Sequence, residues 1–418
     1  MADEGPAVLV PRHAQAIVVE ALAAARVVLV MGARQTGKST LTREVVGTIR
    51  PTTIFTLDEL ITRDNAADDP VGFLAAASGL VLIDEVQRVP DLLYAIKLRV
   101  DQDRRPGQFL LTGSANILTA PRVYEALTGR VDLVQLWPLA QSEIERSRTN
   151  LVDSLFIGEP PNIHGAPINR VAFVERAAVG GFPEVQGLTS RQRERWFVSY
   201  VTTTLDRDLR DIADVRRLDE MPRLLRVLAT QSAGIFNSRG LASSLEISHL
   251  TVAEYARLLE TMFLVRIVPA WRPGLRSRER HAPKIYVADT GLLAHLLRAD
   301  ERRIAEDDQV SGPMFETLVA MEVAKHLGWA DEIGIRQLHW RDDRDEVDIV
   351  LERRDGAIVA IEAKASATVR PSDTVGLRKL RDLSGNRFVA GVVIYTGERT
   401  HPLGDRLWAV PVSGLWSG

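Results

Sequence analysis

The first part of the chain is organised around the stretch Gly32-Ala-Arg-Gln-Thr-Gly37-Lys38-Ser39-Thr40. Its spacing is G-x-x-x-x-G-K-[ST], and it lies between an apolar run that predicts a buried strand and a segment that predicts a helix. A glycine-rich turn at that place directs several backbone N–H groups to one point, where the helix dipole adds positive potential. The stretch therefore predicts a site for the phosphates of a nucleotide.

The residues of this loop have separate tasks in such a site. Lys38 can reach the β- and γ-phosphates, and the hydroxyl of Ser39 can ligate Mg²⁺. The expected cofactors are therefore ATP and Mg²⁺. The residues expected to contact the nucleotide are Gly32, Arg34, Gln35, Thr36, Gly37, Lys38, Ser39 and Thr40.

A second motif follows about 45 residues later, in Gly79-Leu-Val-Leu-Ile-Asp84-Glu85. An apolar strand ends there in two acids. Asp84 is expected to hold Mg²⁺ through water, and Glu85 is expected to polarise the attacking water as the general base. The two motifs in this order predict hydrolysis of the nucleotide.

Strands and helices alternate through this region, which predicts a mostly parallel sheet covered on both faces. The turn after Gln108-Phe-Leu-Leu-Thr112 lies at the carboxyl end of such a strand, where ligands bind. Ser114 or Asn116 is therefore a candidate sensor of the γ-phosphate, although serine and asparagine are also ordinary turn residues. Arg130, on a later loop, is a candidate arginine finger, in cis or from a neighbouring subunit.

Composition sets limits on the function. The chain has 418 residues, of which 45% are hydrophobic and 26% charged, as in soluble globular proteins. It has no cysteine, which excludes disulfides, thiolate catalysis and cysteine-bound zinc. The acidic start lacks a signal pattern and no apolar run is long enough for a membrane helix, so we expect a cytoplasmic protein without a membrane partner.

The middle of the chain predicts three short helices followed by a strand, between Met221 and Pro269. This is the order of a winged helix-turn-helix, with Ser248 to Arg257 as the groove helix. A basic run from Arg266 to Lys284, with Trp271 inside it, falls where the wing would contact DNA phosphates. A protein–protein spacer is the alternative, because the net charge of −3 gives no general attraction to nucleic acid.

The last part predicts a second chemical site. Asp345-Glu-Val-Asp348 and Ala357-Ile-Val-Ala-Ile-Glu362-Ala-Lys364 form two strands of a hairpin around an Asp-Gly turn. Glu316, on a helix upstream, can face the same sheet. Carboxylates of Glu316, Asp348 and Glu362 would bind Mg²⁺ or Mn²⁺, and Lys364 would orient the nucleophile. The alternative is a hairpin with a cross-strand ion pair, and Glu322 is the second choice for the helical acid.

These motifs resemble those of a widespread prokaryotic AAA-type ATPase family with a C-terminal domain of unknown function. The quoted stretches are Gly-Ala-Arg-Gln-Thr-Gly-Lys-Ser-Thr, Leu-Ile-Asp-Glu-Val-Gln, Leu-Thr-Gly-Ser-Ala-Asn, Gly-Gly-Phe-Pro and the C-terminal Glu/Asp/Glu-x-Lys set. The resemblance implies an α/β chain: a P-loop NTPase parallel sheet, a winged helix-turn-helix, then a restriction-endonuclease-like domain similar to PD-(D/E)xK nucleases. The expected domains are 1–150 (ATPase core), 151–215 (helical extension), 216–282 (winged helix-turn-helix) and 283–418 (nuclease-like).

Three functions follow as hypotheses. The first is an ATPase coupled to a metal-dependent DNA nuclease, with Asp84, Glu85, Arg130, Glu316, Asp348, Glu362 and Lys364 as the catalytic set. The second is a STAND-like signalling ATPase switch whose C-terminal domain is catalytically silent and binds DNA or a protein. The third is a DNA-binding regulator whose ATP controls assembly. DNA is the expected partner, and a finger in trans would require a homo-oligomer.

Overall fold

The computed structural model divides the chain into two units, Met1–Leu139 and Ala140–Gly418. It describes residues 9–49, 52–114, 127–158, 170–212, 220–274, 281–342 and 344–417. Within these ranges, none of the helices has both the length and the apolar character needed to cross a bilayer.

A five-stranded parallel sheet forms the centre of the first unit, in the order β2-β3-β4-β1-β5. Strands β1, β3 and β4 are buried along their whole length, as expected for a parallel sheet with helices on its faces. The strands are β1 (Val27–Met31), β2 (Thr52–Thr56), β3 (Leu80–Asp84), β4 (Phe109–Gly113) and β5 (Val131–Gln135). The helices are α1 (Ala14–Ala24), α2 (Lys38–Ile49), α3 (Leu60–Asp68), α4 (Pro70–Ala75) and α5 (Leu92–Gln102). The predicted α/β fold with a parallel P-loop sheet is confirmed.

The second unit begins with helices and a small antiparallel sheet in the order β6-β8-β7. The helices up to this sheet are α6 (Gln141–Ile144), α7 (Leu151–Ile157), α8 (Arg170–Val179), α9 (Ser190–Ile212), α10 (Met221–Ala229), α11 (Ser238–Leu245) and α12 (His249–Thr261). The strands are β6 (Gly234–Ile235), β7 (Val265–Val268) and β8 (Lys284–Val287). Strand β8 pairs with both neighbours, so the predicted boundary between residues 282 and 283 falls just before a strand of the preceding sheet.

A six-stranded mixed sheet ends the unit, in the order β13-β14-β12-β11-β10-β9. Its strands are β9 (Arg336–Arg341), β10 (Glu346–Glu352), β11 (Ile358–Lys364), β12 (Phe388–Tyr395), β13 (His401–Gly404) and β14 (Leu407–Pro411). The accompanying helices are α13 (Thr290–Leu297), α14 (Glu301–Glu306), α15 (Asp308–His326) and α16 (Val375–Ser384). The predicted hairpin is confirmed, because β10 and β11 pair antiparallel around a turn in which Gly356 has a φ of +84°.

The basic run between Arg266 and Lys284 differs from the exposed wing that the sequence predicts. Trp271 is fully buried and its Nε1 donates a hydrogen bond to Glu352 at 3.0 Å. Lys284 is also buried, at 2% exposure. These two side chains turn inward because each finds a carboxylate inside the second unit. Residues 275–280, which hold three arginines of the run, lie outside the described residues.

Candidate functional site

The phosphate loop has the backbone that its sequence requires. Gln35 and Gly37 both have left-handed backbones, with φ of +61° and +88°. A Cβ on Gly32 would lie 2.1 Å from the carbonyl oxygen of Leu136, so only glycine fits there. The loop ends directly at the first residue of α2, which places the helix N-terminus beside it.

Arg12 supports this loop, and sequence reasoning missed it. Its guanidinium donates to the carbonyl oxygen of Thr36 at 2.6 Å and to that of Trp137 at 2.7 Å. The side chain is only 8% exposed. Arg12 precedes α1 and belongs to no recognisable motif, so only the fold brings it to the loop.

Lys38 lies over its own loop. Its Nζ donates to the carbonyl oxygens of Gly32 at 3.1 Å and Ala33 at 2.8 Å, and the residue is 4% exposed. Thr36 is buried and donates its hydroxyl to Ala33, whereas Gln35 and Thr40 are exposed and Arg34 is half-buried. The predicted nucleotide-contacting residues are thus consecutive on one loop, and their individual roles stay predictions.

Ser39 and Asp84 meet although 45 residues separate them in the chain. The hydroxyl of Ser39 donates to Asp84 Oδ1 at 2.8 Å, and the hydroxyl of Thr112 donates to the same oxygen at 2.5 Å. The pair forms where α2 begins and β3 ends. A hydroxyl beside a carboxylate is an oxygen donor set suited to Mg²⁺, which needs only one or two protein ligands beside phosphate. These residues therefore fit the ion.

Glu85 follows Asp84 in a left-handed backbone, with a φ of +59°. Its backbone N–H donates to the hydroxyl of Thr112 at 2.9 Å. Gln87 then links two candidate residues: its Nε2 donates to Glu85 Oε2 at 2.5 Å and to Ser114 Oγ at 2.9 Å. The amide nitrogen must face Glu85, because an ionised carboxylate can only accept. Asn116, the other candidate sensor, lies outside the described residues.

Replacement of Gln87 by methionine tests this link. Methionine keeps the length of the side chain and removes the donor, so Glu85 and Ser114 lose their shared partner. We expect the turnover of ATP to fall about 10-fold, a fraction of what a general base contributes, with nucleotide affinity unchanged. Turnover and nucleotide binding by purified protein measure the two effects separately, and unchanged turnover would contradict the link.

Arg130 is held by an acid of the same unit. Its guanidinium donates to both carboxylate oxygens of Asp101, at 2.7 and 2.8 Å. The hydrogen bond from Arg130 and its charge lower the pKa of Asp101 against the effect of burial. A finger role, in cis or in trans, requires Arg130 to leave Asp101, and it stays a prediction.

The predicted acid cluster of the C-terminal part comes together in the second unit. Asp348 and Glu362 lie on the paired strands β10 and β11, each next to the Ile349–Ile361 pair, and Glu316 lies on α15. Lys364 Nζ lies 2.7 Å from Glu362 Oε1. The backbone N–H of Ala363 donates to Asp348 Oδ2 at 3.0 Å.

Lys284 stands inside this cluster, where sequence reasoning did not expect it. Its Nζ lies 2.7 Å from Glu316 Oε1 and 2.8 Å from Asp348 Oδ1. Tyr286, two residues along β8, donates its hydroxyl to the same Glu316 oxygen at 2.9 Å. Lys284 and Tyr286 are two residues apart and therefore lie on one face of the strand. This spacing is the sequence pattern from which their common position in the cluster could have been predicted.

Burial and mutual repulsion decide the charges in the cluster. Burial and the charge of Asp348 raise the pKa of Glu316 to about 8, although Lys284 opposes the shift. Burial and Asp348 also raise the pKa of Glu362 well above its usual value. Burial alone would raise the pKa of Asp348, but the charges of Lys284 and Lys364 lower it. Asp348 is therefore the carboxylate that the two lysines keep ionised.

The cluster does not fit a divalent metal ion as it is arranged. Lys284 stands between Glu316 and Asp348, and Lys364 pairs with Glu362. Among the described residues, no group of three or more histidine, aspartate or glutamate side chains could hold a metal ion. Glu322, the second choice, lies elsewhere: it is fully buried, pairs with Lys325 at 2.7 Å and accepts the backbone N–H of Gln141 at 2.8 Å.

Comparison with protein families divides the chain into three regions. An AAA domain matches residues 24–145. Two domains of unknown function, DUF8612 and DUF4143, match residues 170–303 and 311–415. The first match covers the phosphate loop, Asp84 and Glu85, so this region is an AAA-type P-loop ATPase domain.

Among solved structures, a Walker-type ATPase of Pyrococcus abyssi is 16% identical, with a TM-score of 0.45, over 70% of this chain and 99% of that chain. The Thermotoga maritima RuvB Holliday junction branch migration motor is 15% identical, with a TM-score of 0.29, over 64% of this chain and 93% of that chain.

Two curated proteins are much nearer in sequence. They are the uncharacterized protein Rv2008c of Mycobacterium tuberculosis and the uncharacterized protein Mb2031c of Mycobacterium bovis. Each is 33% identical over 409 residues, which is 97% of this chain and 84% of the relative. The chain therefore belongs to the same family as these two mycobacterial proteins, with an AAA-type P-loop ATPase domain in its first unit.

Proposed function

We propose that the first unit hydrolyses ATP with Mg²⁺ and that its nucleotide state controls the binding of DNA by the second unit. The observation that carries the first half is the contact between Ser39 and Asp84 at 2.8 Å. It joins the phosphate loop to the acidic strand end, and a hydrolytic P-loop site needs both.

The residues of the nucleotide site have separate tasks in this reaction. The backbone N–H groups at the start of α2 bind phosphate oxygens, and Lys38 neutralises their charge. Mg²⁺, held by Ser39 and Asp84, would neutralise the phosphate charge that develops in the transition state. Glu85 takes the proton of the attacking water. Thr112 contacts both Asp84 and the backbone of Glu85, so it fixes the two acids relative to each other.

The second half of the proposal is supported by the order of elements in the second unit. The elements run α10, β6, α11, α12, β7 and β8, and β8 lies between the other two strands. This is the order of a winged helix-turn-helix, in which the third helix enters a DNA groove. The start of α12 is capped by Ser248 and is exposed at His249 and Leu250, while its opposite face is buried.

Cleavage of DNA is the further activity that the sequence predicts. The meeting of Glu316, Asp348, Glu362 and Lys364 in one cluster favours it. The position of Lys284 opposes it, because an ammonium group lies between two of the proposed metal ligands. We therefore propose binding of DNA without cutting, and a metal-dependent nuclease is the alternative outcome of the test.

The affinity of the full chain for a labelled DNA duplex tests the proposal. The Glu85→Gln variant keeps the chain in the ATP-bound state, which is compared with the ADP-bound state. We expect the affinity for DNA to differ at least 10-fold between the two states, which corresponds to about 1.4 kcal/mol. The same DNA should remain intact when Mg²⁺ or Mn²⁺ is added. Equal affinity in both states would contradict the control by nucleotide, and no affinity would favour a protein partner instead. Cutting that disappears in Asp348→Ala and Lys364→Ala would establish the nuclease.

A further inference from the structure

Lys284 occupies the centre of the C-terminal acid cluster. Its ammonium group contacts Glu316 and Asp348 at 2.7 and 2.8 Å, and its side chain is 2% exposed. The ammonium group of Lys284 is therefore almost closed to water. The two acids that Lys284 joins are two of the three that the sequence predicts as metal ligands.

The charges of the cluster are consistent with Lys284 as a substitute for a metal ion. Three acid side chains, of Glu316, Asp348 and Glu362, lie with the two lysines Lys284 and Lys364, and Asp348 is the acid that the lysines keep ionised. A buried cation in this position repels a second cation and occupies the oxygens that would ligate it. Without Lys284, three acids would share one lysine, and such a set attracts a hard divalent ion.

Lys284 and the three acids come from different regions of the chain. Lys284 lies on β8, within the region 170–303, whereas the acids lie within the region 311–415. The two sheets are linked where the backbone N–H of Trp271 donates to the carbonyl oxygen of His339 at 2.5 Å. The region before the C-terminal domain thus supplies one of the two lysines in that domain's acid cluster, and Lys364 of the domain itself is the other.

We propose that Lys284 is an internal counter-cation that takes the place of a divalent metal ion in the C-terminal site. The site is stable without metal and does not take up a divalent ion while Lys284 is present. This inference deepens the proposed function, since it rests on binding of DNA without cutting and gives the physical reason for it.

The test is the uptake of Mn²⁺ by the full chain, measured from the electron paramagnetic resonance signal of the free ion. No nucleotide and no DNA are added, so a failure of ATP hydrolysis or DNA binding does not affect the result. We expect Lys284→Gln to bind one more Mn²⁺ per chain than the wild type. Lys284→Arg, which keeps the charge, should bind like the wild type.

A double variant assigns the additional ion to this site. Lys284→Gln combined with Asp348→Asn should lose the additional Mn²⁺, while any ion bound near Ser39 and Asp84 remains. Recovery of folded Lys284→Gln only with Mn²⁺ in the buffer would also support the proposal. The proposal is overturned if the wild type binds an ion that Asp348→Asn removes. It is also overturned if folded Lys284→Gln binds no additional ion, or if Lys284→Gln fails to fold both in the presence and in the absence of Mn²⁺.

Discussion

Replacement of Glu85 by glutamine is expected to stop the turnover of ATP while ATP stays bound. Glutamine has the same shape as glutamate, but its amide cannot take a proton from water. Since a general base contributes about 100- to 10,000-fold to a rate, we expect turnover to fall at least 100-fold. Nucleotide affinity should remain near that of the wild type, because Glu85 follows the loop's partner Asp84 and makes no contact with the loop itself among the contacts described.

The matched control is Glu59→Gln, which changes an acid at the start of α3 in the same unit. It should leave turnover unchanged. If Glu85→Gln retains normal turnover, Glu85 is not the base. If it loses both turnover and nucleotide binding, the residue has a structural task instead.

Replacement of Lys38 by alanine is expected to weaken the binding of nucleotide strongly. Lys38 is 4% exposed and hydrogen-bonded to the loop carbonyls, so its ammonium group is already positioned beside the phosphate site. A hydrogen bond to a charged group contributes about 1.5–3 kcal/mol, which corresponds to an affinity about 10- to 150-fold weaker. Titration with a fluorescent ATP analogue measures the change.

Lys97→Ala is the control for this variant, because Lys97 lies on α5, in the same unit but outside the loop. Its affinity for nucleotide should equal that of the wild type. Equal affinity in Lys38→Ala would contradict the assignment of the loop. Loss of affinity together with a lower melting temperature would point to unfolding of the loop rather than loss of a phosphate contact.

The nucleotide site could be predicted from sequence because its parts are local. The phosphate loop is nine consecutive residues, and Asp84 with Glu85 ends one apolar strand. Since the carboxyl ends of parallel strands share one edge of the sheet, the meeting of Ser39 with Asp84 follows from the motifs alone. Arg12 could not be assigned in this way, because its partner is determined by the packing of the phosphate loop. Gln87 could not be assigned either, because its partner Ser114 lies 27 residues further along the chain.

The C-terminal cluster shows the limit of local patterns. The hairpin placed Asp348 and Glu362 together, and helix periodicity brought Glu316 to the sheet. The sequence alone groups Lys284 with an exposed basic run, because it follows a segment from Arg266 to Arg280 that is rich in arginine. Its position depends on β8 pairing between β6 and β7, and pairing between distant segments leaves little trace in local composition.

The release of phosphate from ATP by the full chain with Mg²⁺ decides whether the first unit hydrolyses ATP. We expect steady turnover by the wild type that disappears in EDTA, in Lys38→Ala and in Glu85→Gln. Turnover that persists in all three conditions, or its absence from a wild type that binds ATP, would contradict the assignment of Ser39, Asp84 and Glu85 as a hydrolytic site.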